Sequence, residues 1–116
     1  MPVVTFFGSG EAVKNSFIYK IAEDAGRELS KKGFDVATGG YGGIMEAALK
    51  GASEGSGERI GITIPDYKRK VKNEYVTKEI VAASYLERMQ KLIETGDAFV
   101  VLPGGTGTLL ELAAIW

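Results

Sequence analysis

The 116-residue chain contains 16 Gly, no Cys and no His, with 14 Lys and Arg against 15 Asp and Glu. Its glycine share is nearly double the share of about 7% in an average protein. Without Cys or His, the chain cannot build a disulfide, a zinc finger, a Ser-His-Asp triad or a Cys or His nucleophile. The formal net charge of -1 excludes the basic surface that is typical of nucleic-acid-binding domains.

The remaining composition is that of a globular domain. Hydrophobic residues make up 45% of the chain and charged residues 25%, and no apolar run is long enough to cross a membrane. The N-terminus lacks the basic and apolar pattern of a signal peptide. We therefore expect a cytoplasmic protein with one domain over residues 1–116. Because residues 109–116 form an apolar helical pattern without a cap, we also expect the natural chain to continue into a further strand and helix.

Three short apolar runs each lead into glycines and then into a helical pattern. The runs cover residues 3–7, 34–37 and 98–102, and their β-branched and aromatic residues predict buried strands. After the first, apolar residues recur every three or four positions from Phe17 to Leu29, which predicts an amphipathic helix of about four turns ending at Gly33. After the second, small residues predict a short helix that approaches the sheet closely. After the third, a helix is expected from near Thr108.

Two further strands and one helix are predicted between the second and third runs. Residues 59–64 read as a strand that stops at Pro65, and residues 75–81 as a weaker strand. Ser84 followed by Glu87 is a capping box that opens a helix through about residue 95. Its inner face is expected to include Tyr85 or Leu86, Met89, Leu92 and Ile93. Basic residues before the weaker strand predict a solvated loop or a lid over an anionic substrate: Lys68, Arg69, Lys70 and Lys72.

The alternation of strands and helices predicts an α/β fold with a Rossmann-like, doubly wound parallel sheet in the strand order 3-2-1-4-5. In this topology the glycine turns lie at the carboxyl edge of the sheet, around the switch point between strands 1 and 4, where ligands bind. Glycine lets the backbone approach a phosphate at a helix N-terminus, although it also simply permits tight turns. The Walker and dinucleotide fingerprints are absent, so an NTPase or a dinucleotide cofactor is not expected.

Two segments resemble a known family. The run Gly39-Gly40-Tyr41-Gly42-Gly43-Ile44-Met45 is similar to the GGxxGxM pattern of the Lonely Guy (LOG) family. The run Pro103-Gly104-Gly105-Thr106-Gly107-Thr108-Leu109-Leu110-Glu111 matches that family's PGGxGTxxE signature. Members of this family are cytokinin-activating nucleoside 5′-monophosphate phosphoribohydrolases.

The resemblance implies hydrolysis of the N-glycosidic bond of AMP or a cytokinin-type nucleotide to free base and ribose 5-phosphate. It implies a catalytic pair formed by Arg88 and Glu111 and a homodimer. We expect no cofactor or metal and, from the charge balance and the lack of a membrane-length apolar run, no nucleic-acid or membrane partner. The residues implied to hold the substrate and its phosphate are Gly8, Ser9, Gly10, Gly39, Gly40, Gly42, Gly43, Met45, Gly104, Gly105, Thr106, Gly107 and Thr108.

Other interpretations of these residues stay open at the level of sequence. Thr108 and Glu111 have the spacing of a capping box, so Glu111 would then only satisfy a helix N-terminus. Arg88 would otherwise be a solvated helix residue, and Met45 a core residue. The alternative function is a non-catalytic carrier of a nucleotide or of the molybdenum cofactor, which would use the same phosphate-binding turns.

Overall fold

The computed structural model describes residues 2–65, 72–104 and 113. Within these ranges the chain alternates strands and helices along most of its length. The strands are β1 (Val3–Phe7), β2 (Asp35–Thr38), β3 (Arg59–Thr63), β4 (Lys78–Val81) and β5 (Ala98–Val101). The helices are α1 (Phe17–Lys31), α2 (Ile44–Ala52) and α3 (Tyr85–Thr95). The helix expected from near Thr108 and the basic loop residues 68–70 lie outside the described residues.

The five strands form one parallel sheet in the order β4-β3-β2-β1-β5. This confirms the Rossmann-like, doubly wound fold, with strands 3, 2 and 1 adjacent as predicted. The predicted order 3-2-1-4-5 is wrong in the place of strand 4: β4 lies at the outer edge beside β3, and β5, not β4, pairs with β1. The chain therefore changes direction across the sheet between β1 and β5, and this pair marks the switch point where ligands bind in such sheets.

The helices cover both faces of the sheet. Val4 and Phe6 of β1 pack with Leu49 of α2 in one core cluster. Phe7 of the same strand packs in a second cluster with Leu92 of α3. Because successive side chains of a strand point to opposite faces, α2 and α3 lie on opposite sides of the sheet. Within the described helices, none is long and apolar enough to cross a membrane.

The predicted capping box at the start of α3 is confirmed. Ser84 caps α3 by accepting a hydrogen bond from the Glu87 N–H at 3.1 Å, and the Glu87 carboxylate accepts from the Ala83 N–H at 3.2 Å. On the inner face of α3, Leu92 is buried as predicted, and of the two alternatives Tyr85 and Leu86 the less exposed one is Tyr85. Leu86 is 68% exposed, whereas Arg88 is only 6% exposed. The helix therefore also buries the charged residue Arg88, which the apolar pattern did not place on its inner face.

The close approach predicted for α2 is made to α1 as well as to the sheet. A Cβ on Gly26 of α1 would overlap the backbone carbonyl of Ala48, and a Cβ on Gly51 of α2 would overlap the carbonyl of Glu23. Both contacts are with backbone atoms, which side-chain motion cannot relieve. The two helices therefore pack backbone to backbone.

Candidate functional site

The first two glycine turns pack against each other at the carboxyl edge of β1 and β2. The backbone N–H of Ile44 donates to the carbonyl of Ser9 at 2.9 Å. A Cβ on Gly43 would overlap that carbonyl and the backbone of Gly10. A Cβ on Gly8 would lie 2.7 Å from the Ile44 side chain. The two turns therefore form one surface, which needs glycine on both sides of the contact.

Helix α2 begins at this surface. Its N-cap, Gly43, has φ 64° and ψ -132° and makes no side-chain cap hydrogen bond. The N–H groups and the positive dipole end of such a helix start attract anions. Glu46 lies in the first turn, but its carboxylate accepts from the Tyr19 hydroxyl at 3.1 Å and pairs with Lys14 at 3.3 Å. Burial, and then the charge of Glu46, raises the pKa of Tyr19, so the phenol stays a protonated donor.

The third glycine turn starts beside the first. The N–H of Leu102, directly after β5, donates to the carbonyl of Phe7 at the end of β1 at 2.8 Å. Pro103 and Gly104 follow and are exposed. The pairing of β1 with β5 thus directs the third turn to the same edge as the first. The rest of the predicted phosphate signature, together with Glu111, lies outside the described residues: Gly105, Thr106, Gly107 and Thr108.

Arg88 reaches this edge from the opposite face of the sheet. It lies one turn into α3 and is 6% exposed. Its Nε donates to the carbonyl of Ile62, in β3, at 2.8 Å. Its guanidinium carbon lies 5.4 Å from the centre of the Tyr41 ring, which is within cation–π distance. The guanidinium is therefore held by a backbone carbonyl on one side and an aromatic face on another.

Two residues of the GGxxGxM pattern complete the surroundings of the Arg88 guanidinium. A Cβ on Gly39, the first residue after β2, would overlap Nη2 of Arg88. The Met45 sulfur lies 3.6 Å from the same nitrogen. Gly39 thus provides the space into which the arginine extends, and Met45 closes that space. The first and last residues of the pattern, Gly39 and Met45, therefore both contact the buried guanidinium of Arg88 beside the glycine turns.

Tyr41 connects the second glycine turn to the end of β3. Its hydroxyl donates to the carbonyl of Ile64 and accepts from the N–H of the same residue, both at 3.0 Å. Asn73 holds the turn from the other side, because its N–H donates to the Gly40 carbonyl at 2.7 Å and its amide donates to the Tyr41 carbonyl at 2.8 Å. These contacts fix the ring that lies against the Arg88 guanidinium.

The structure brings the described members of the predicted site to one edge of the sheet. These are Gly8, Ser9, Gly10, Gly39, Gly40, Gly42, Gly43, Met45, Arg88 and Gly104. Sequence reasoning missed Tyr41 and Asn73. An aromatic residue inside a run of four glycines was a signal for Tyr41, because a bulky side chain there needs a dedicated contact. Nothing in the sequence pointed to Asn73, whose role depends on how the chain returns from β3.

Comparison with known protein families gives one match over the whole chain. The SLOG cluster4 family model matches residues 1–116. The chain belongs to the SLOG cluster4 family. It is also 33% identical over 116 residues to a cytokinin riboside 5′-monophosphate phosphoribohydrolase of Arabidopsis thaliana, which covers 97% of this chain and 53% of that protein. The resemblance to the LOG family that the two motifs predicted is therefore confirmed.

Two other similar proteins have names that indicate different functions. The chain is 27% identical over 118 residues to the pyrimidine/purine nucleotide 5′-monophosphate nucleosidase of Escherichia coli, covering 95% of this chain and 26% of that protein. The solved structure of the molybdenum cofactor binding protein from Rippkaea orientalis has a TM-score of 0.85 and 28% identity, covering 98% of this chain and 69% of that one. Of the plant relative described above, the chain spans about half the length.

Proposed function

We propose that this protein hydrolyses the N-glycosidic bond of a nucleoside 5′-monophosphate, AMP or a cytokinin-type nucleotide, to free base and ribose 5-phosphate. The observation that carries the proposal is the burial of Arg88 against Gly39, beside the surface that the first two glycine turns form. A buried guanidinium next to a helix N-terminus is suited to an anionic ligand. The names of the plant and Escherichia coli relatives support the same reaction.

The proposed chemistry divides between binding and charge stabilisation. The glycine turns hold the phosphate through backbone N–H groups, and Arg88 holds and orients the bound nucleotide. As the bond from C1′ to the base nitrogen breaks, positive charge develops on the sugar, and a carboxylate stabilises it. Water then adds its hydroxyl to C1′, and its proton leaves with the base. The carboxylate assigned is Glu111, on the resemblance to the LOG signature.

The test is incubation of the purified protein with AMP, with adenine and ribose 5-phosphate measured by chromatography. Arg88→Lys keeps the charge but loses the planar fork of donors, so we expect a loss of about 100-fold in kcat/KM, as is typical when a preorganised donor is removed. Arg27→Lys is the matched control. Arg27, on α1, pairs with Asp24 of the same helix and with Glu54 after α2, and its change should leave activity unaltered.

A second substitution separates catalysis from binding. Glu111→Gln should abolish release of adenine while AMP binding, measured by calorimetry, is retained. If the unaltered protein binds AMP tightly but releases no base from any nucleoside monophosphate, the hydrolase proposal is wrong.

The second candidate function is a non-catalytic carrier, and the likeness to the Rippkaea orientalis protein favours it. The same turns would then hold the phosphate of a bound nucleotide or of the molybdenum cofactor without bond cleavage. A carrier should bind its ligand equally well before and after Glu111→Gln and should release no ribose 5-phosphate. The homodimer and the cytoplasmic location stay predictions.

A further inference from the structure

The end of β3 extends past its neighbour β2 at the carboxyl edge of the sheet. β2 ends at Thr38, which is level with Gly61, and β3 runs on past this pair. The carbonyl of Glu58, directly before β3, accepts from an N–H of β2. Because carbonyls alternate in direction along a strand, those of Ile62 and Ile64 point to the same side, beyond the end of β2.

Two side chains bind these carbonyls where a neighbouring strand would otherwise do so. Arg88 Nε donates to the Ile62 carbonyl at 2.8 Å. The Tyr41 hydroxyl donates to the Ile64 carbonyl and accepts from the N–H of the same residue, both at 3.0 Å. The guanidinium carbon of Arg88 lies over the Tyr41 ring, 5.4 Å from its centre. Both partners of this contact are therefore attached to the same short stretch of chain.

The attachments of the guanidinium constrain different motions. A hydrogen bond at Nε fixes one direction within the planar group but leaves the plane free to turn about that bond. An aromatic ring attracts the face of a guanidinium, so the Tyr41 ring favours one setting of the plane. The Met45 sulfur, 3.6 Å from Nη2 of Arg88, is only a weak acceptor. The ring is therefore the described contact best suited to set the directions of the two Nη groups.

Burial alone explains only part of this arrangement. Tyr41 is 3% exposed and Arg88 is 6% exposed. A buried tyrosine normally needs a partner for its hydroxyl, and Ile64 meets that need. It does not explain why a cation covers the ring. An apolar side chain would cover the same ring without the cost of burying a charge, so the guanidinium has a use beyond packing.

We propose that Tyr41 is a positioning residue that sets the plane of the Arg88 guanidinium, and through it the direction of the donors that hold the bound nucleotide. The proposal rests on the proposed function for the identity of the ligand. Tyr41 acts through Arg88, while the glycine turns hold the phosphate independently. Its loss should therefore lower the rate of cleavage more than it weakens binding.

The first test is a pair of substitutions assayed with AMP. Tyr41→Leu removes the ring, whereas Tyr41→Phe keeps the ring but frees it from Ile64. Per folded molecule, we expect kcat to fall at least about tenfold in Tyr41→Leu and about threefold in Tyr41→Phe, with KM within about threefold, because small misplacements of a catalytic group mainly reduce rate. Tyr75→Phe is the matched control. Tyr75 packs against the core cluster of Val4 and Phe6, and its change should alter neither constant.

Arg88→Lys separates positioning from support of the fold. A lysine ammonium is a point charge with no plane to orient. In protein that carries Arg88→Lys, adding Tyr41→Leu should therefore lower kcat by less than about twofold, as expected when two residues act through one interaction. A residue that only supports the fold would cause the same fractional loss with either cation, and that result would refute the proposal.

A measurement without substrate keeps the positioning proposal and the hydrolase proposal apart. A held guanidinium gives separate nitrogen NMR signals for its two Nη atoms, and rapid rotation about the Cζ–Nε bond merges them. The Arg88 signals, assigned by their loss in Arg88→Lys, should be separate in the unaltered protein and merged in Tyr41→Leu. If they stay separate in Tyr41→Leu, or are already merged in the unaltered protein, the positioning proposal is wrong even when AMP is cleaved. If they follow the expected pattern but AMP is never cleaved, Tyr41 still positions Arg88 and the hydrolase proposal fails.

Discussion

Glycines serve different purposes at the contact between α1 and α2 and at the carboxyl edge of the sheet. At the contact between α1 and α2, Gly26 and Gly51 make room for backbone carbonyls of the opposite helix. At the carboxyl edge, Gly43 makes room for the backbone of the first turn, and Gly39 makes room for the end of the Arg88 side chain. One residue type therefore supports packing in one region and a site in the other.

The difference lies in what a methyl group would displace. Backbone atoms at the contact between the helices move only if a whole helix moves, so a substitution there should cost stability. The guanidinium of Arg88 is the far end of a flexible side chain and can move alone. A substitution beside it should therefore cost function first. Alanine substitutions at these glycines test this distinction directly.

Gly43→Ala should have the largest effect. Its φ of 64° and ψ of -132° suit glycine alone, and a Cβ would overlap the Ser9 carbonyl. Backbone strain of this kind costs about 1–3 kcal/mol, and the overlap adds to it. We expect the free energy of unfolding in urea to fall by about 3 kcal/mol and nucleotide binding to be lost as the two turns separate. Unchanged stability would show that the turns adapt freely to each other.

Gly51→Ala should have an intermediate effect and should separate packing from function. A Cβ there would overlap the Glu23 carbonyl, and overpacking typically costs about 1–3 kcal/mol. The better helix propensity of alanine returns up to about 1 kcal/mol, so a net loss of about 2 kcal/mol is expected in urea denaturation. The Kd for AMP, measured where the variant is folded, should stay unchanged. A large rise in that Kd would mean that the helix contact controls the site.

The sequence predicted more of the fold than of the site because the two depend on different kinds of information. The helix start at Ser84 and the strand at residues 3–7 follow from local patterns, and both are confirmed. The seat of Arg88 depends on contacts between residues far apart in the chain, such as its hydrogen bond to Ile62. Only the motif resemblance selected Arg88, and apolar periodicity gave no reason to bury it.

The position of β4 and the role of Asn73 also depend on contacts that local sequence patterns do not predict. β4 is short and carries the charged Lys78 and Glu79, so its pattern was a weak signal for a strand, and its place beside β3 depends on pairing that no local rule fixes. Asn73 acts through the carbonyls of Gly40 and Tyr41. Backbone carbonyls carry no sequence signature, so partners of this kind are found only from coordinates.

Gly39→Ala should change stability least and function most selectively. A Cβ there would overlap the Arg88 guanidinium, whose displacement from Met45 and the Tyr41 ring leaves the backbone in place. We expect the free energy of unfolding to fall by about 1 kcal/mol, the size of one weakened hydrogen bond or cation–π contact. Release of adenine from AMP should fall at least about tenfold, since a misplaced catalytic group commonly costs more than that.

Gly42→Ala is the matched control for this last substitution, because it lies in the same turn. The nearest atom to a Cβ at Gly42 is the Gly10 carbonyl oxygen at 3.6 Å, an ordinary contact. Stability should therefore stay close to that of the unaltered protein, and AMP cleavage should fall less than in Gly39→Ala, because Gly42 belongs to the same predicted phosphate turn but its Cβ does not reach Arg88. If Gly42→Ala and Gly39→Ala reduce cleavage equally, the turn as a whole matters rather than the seat of Arg88. If Gly39→Ala instead unfolds the protein, the arginine belongs to the core, and the distinction between the two groups of glycines disappears.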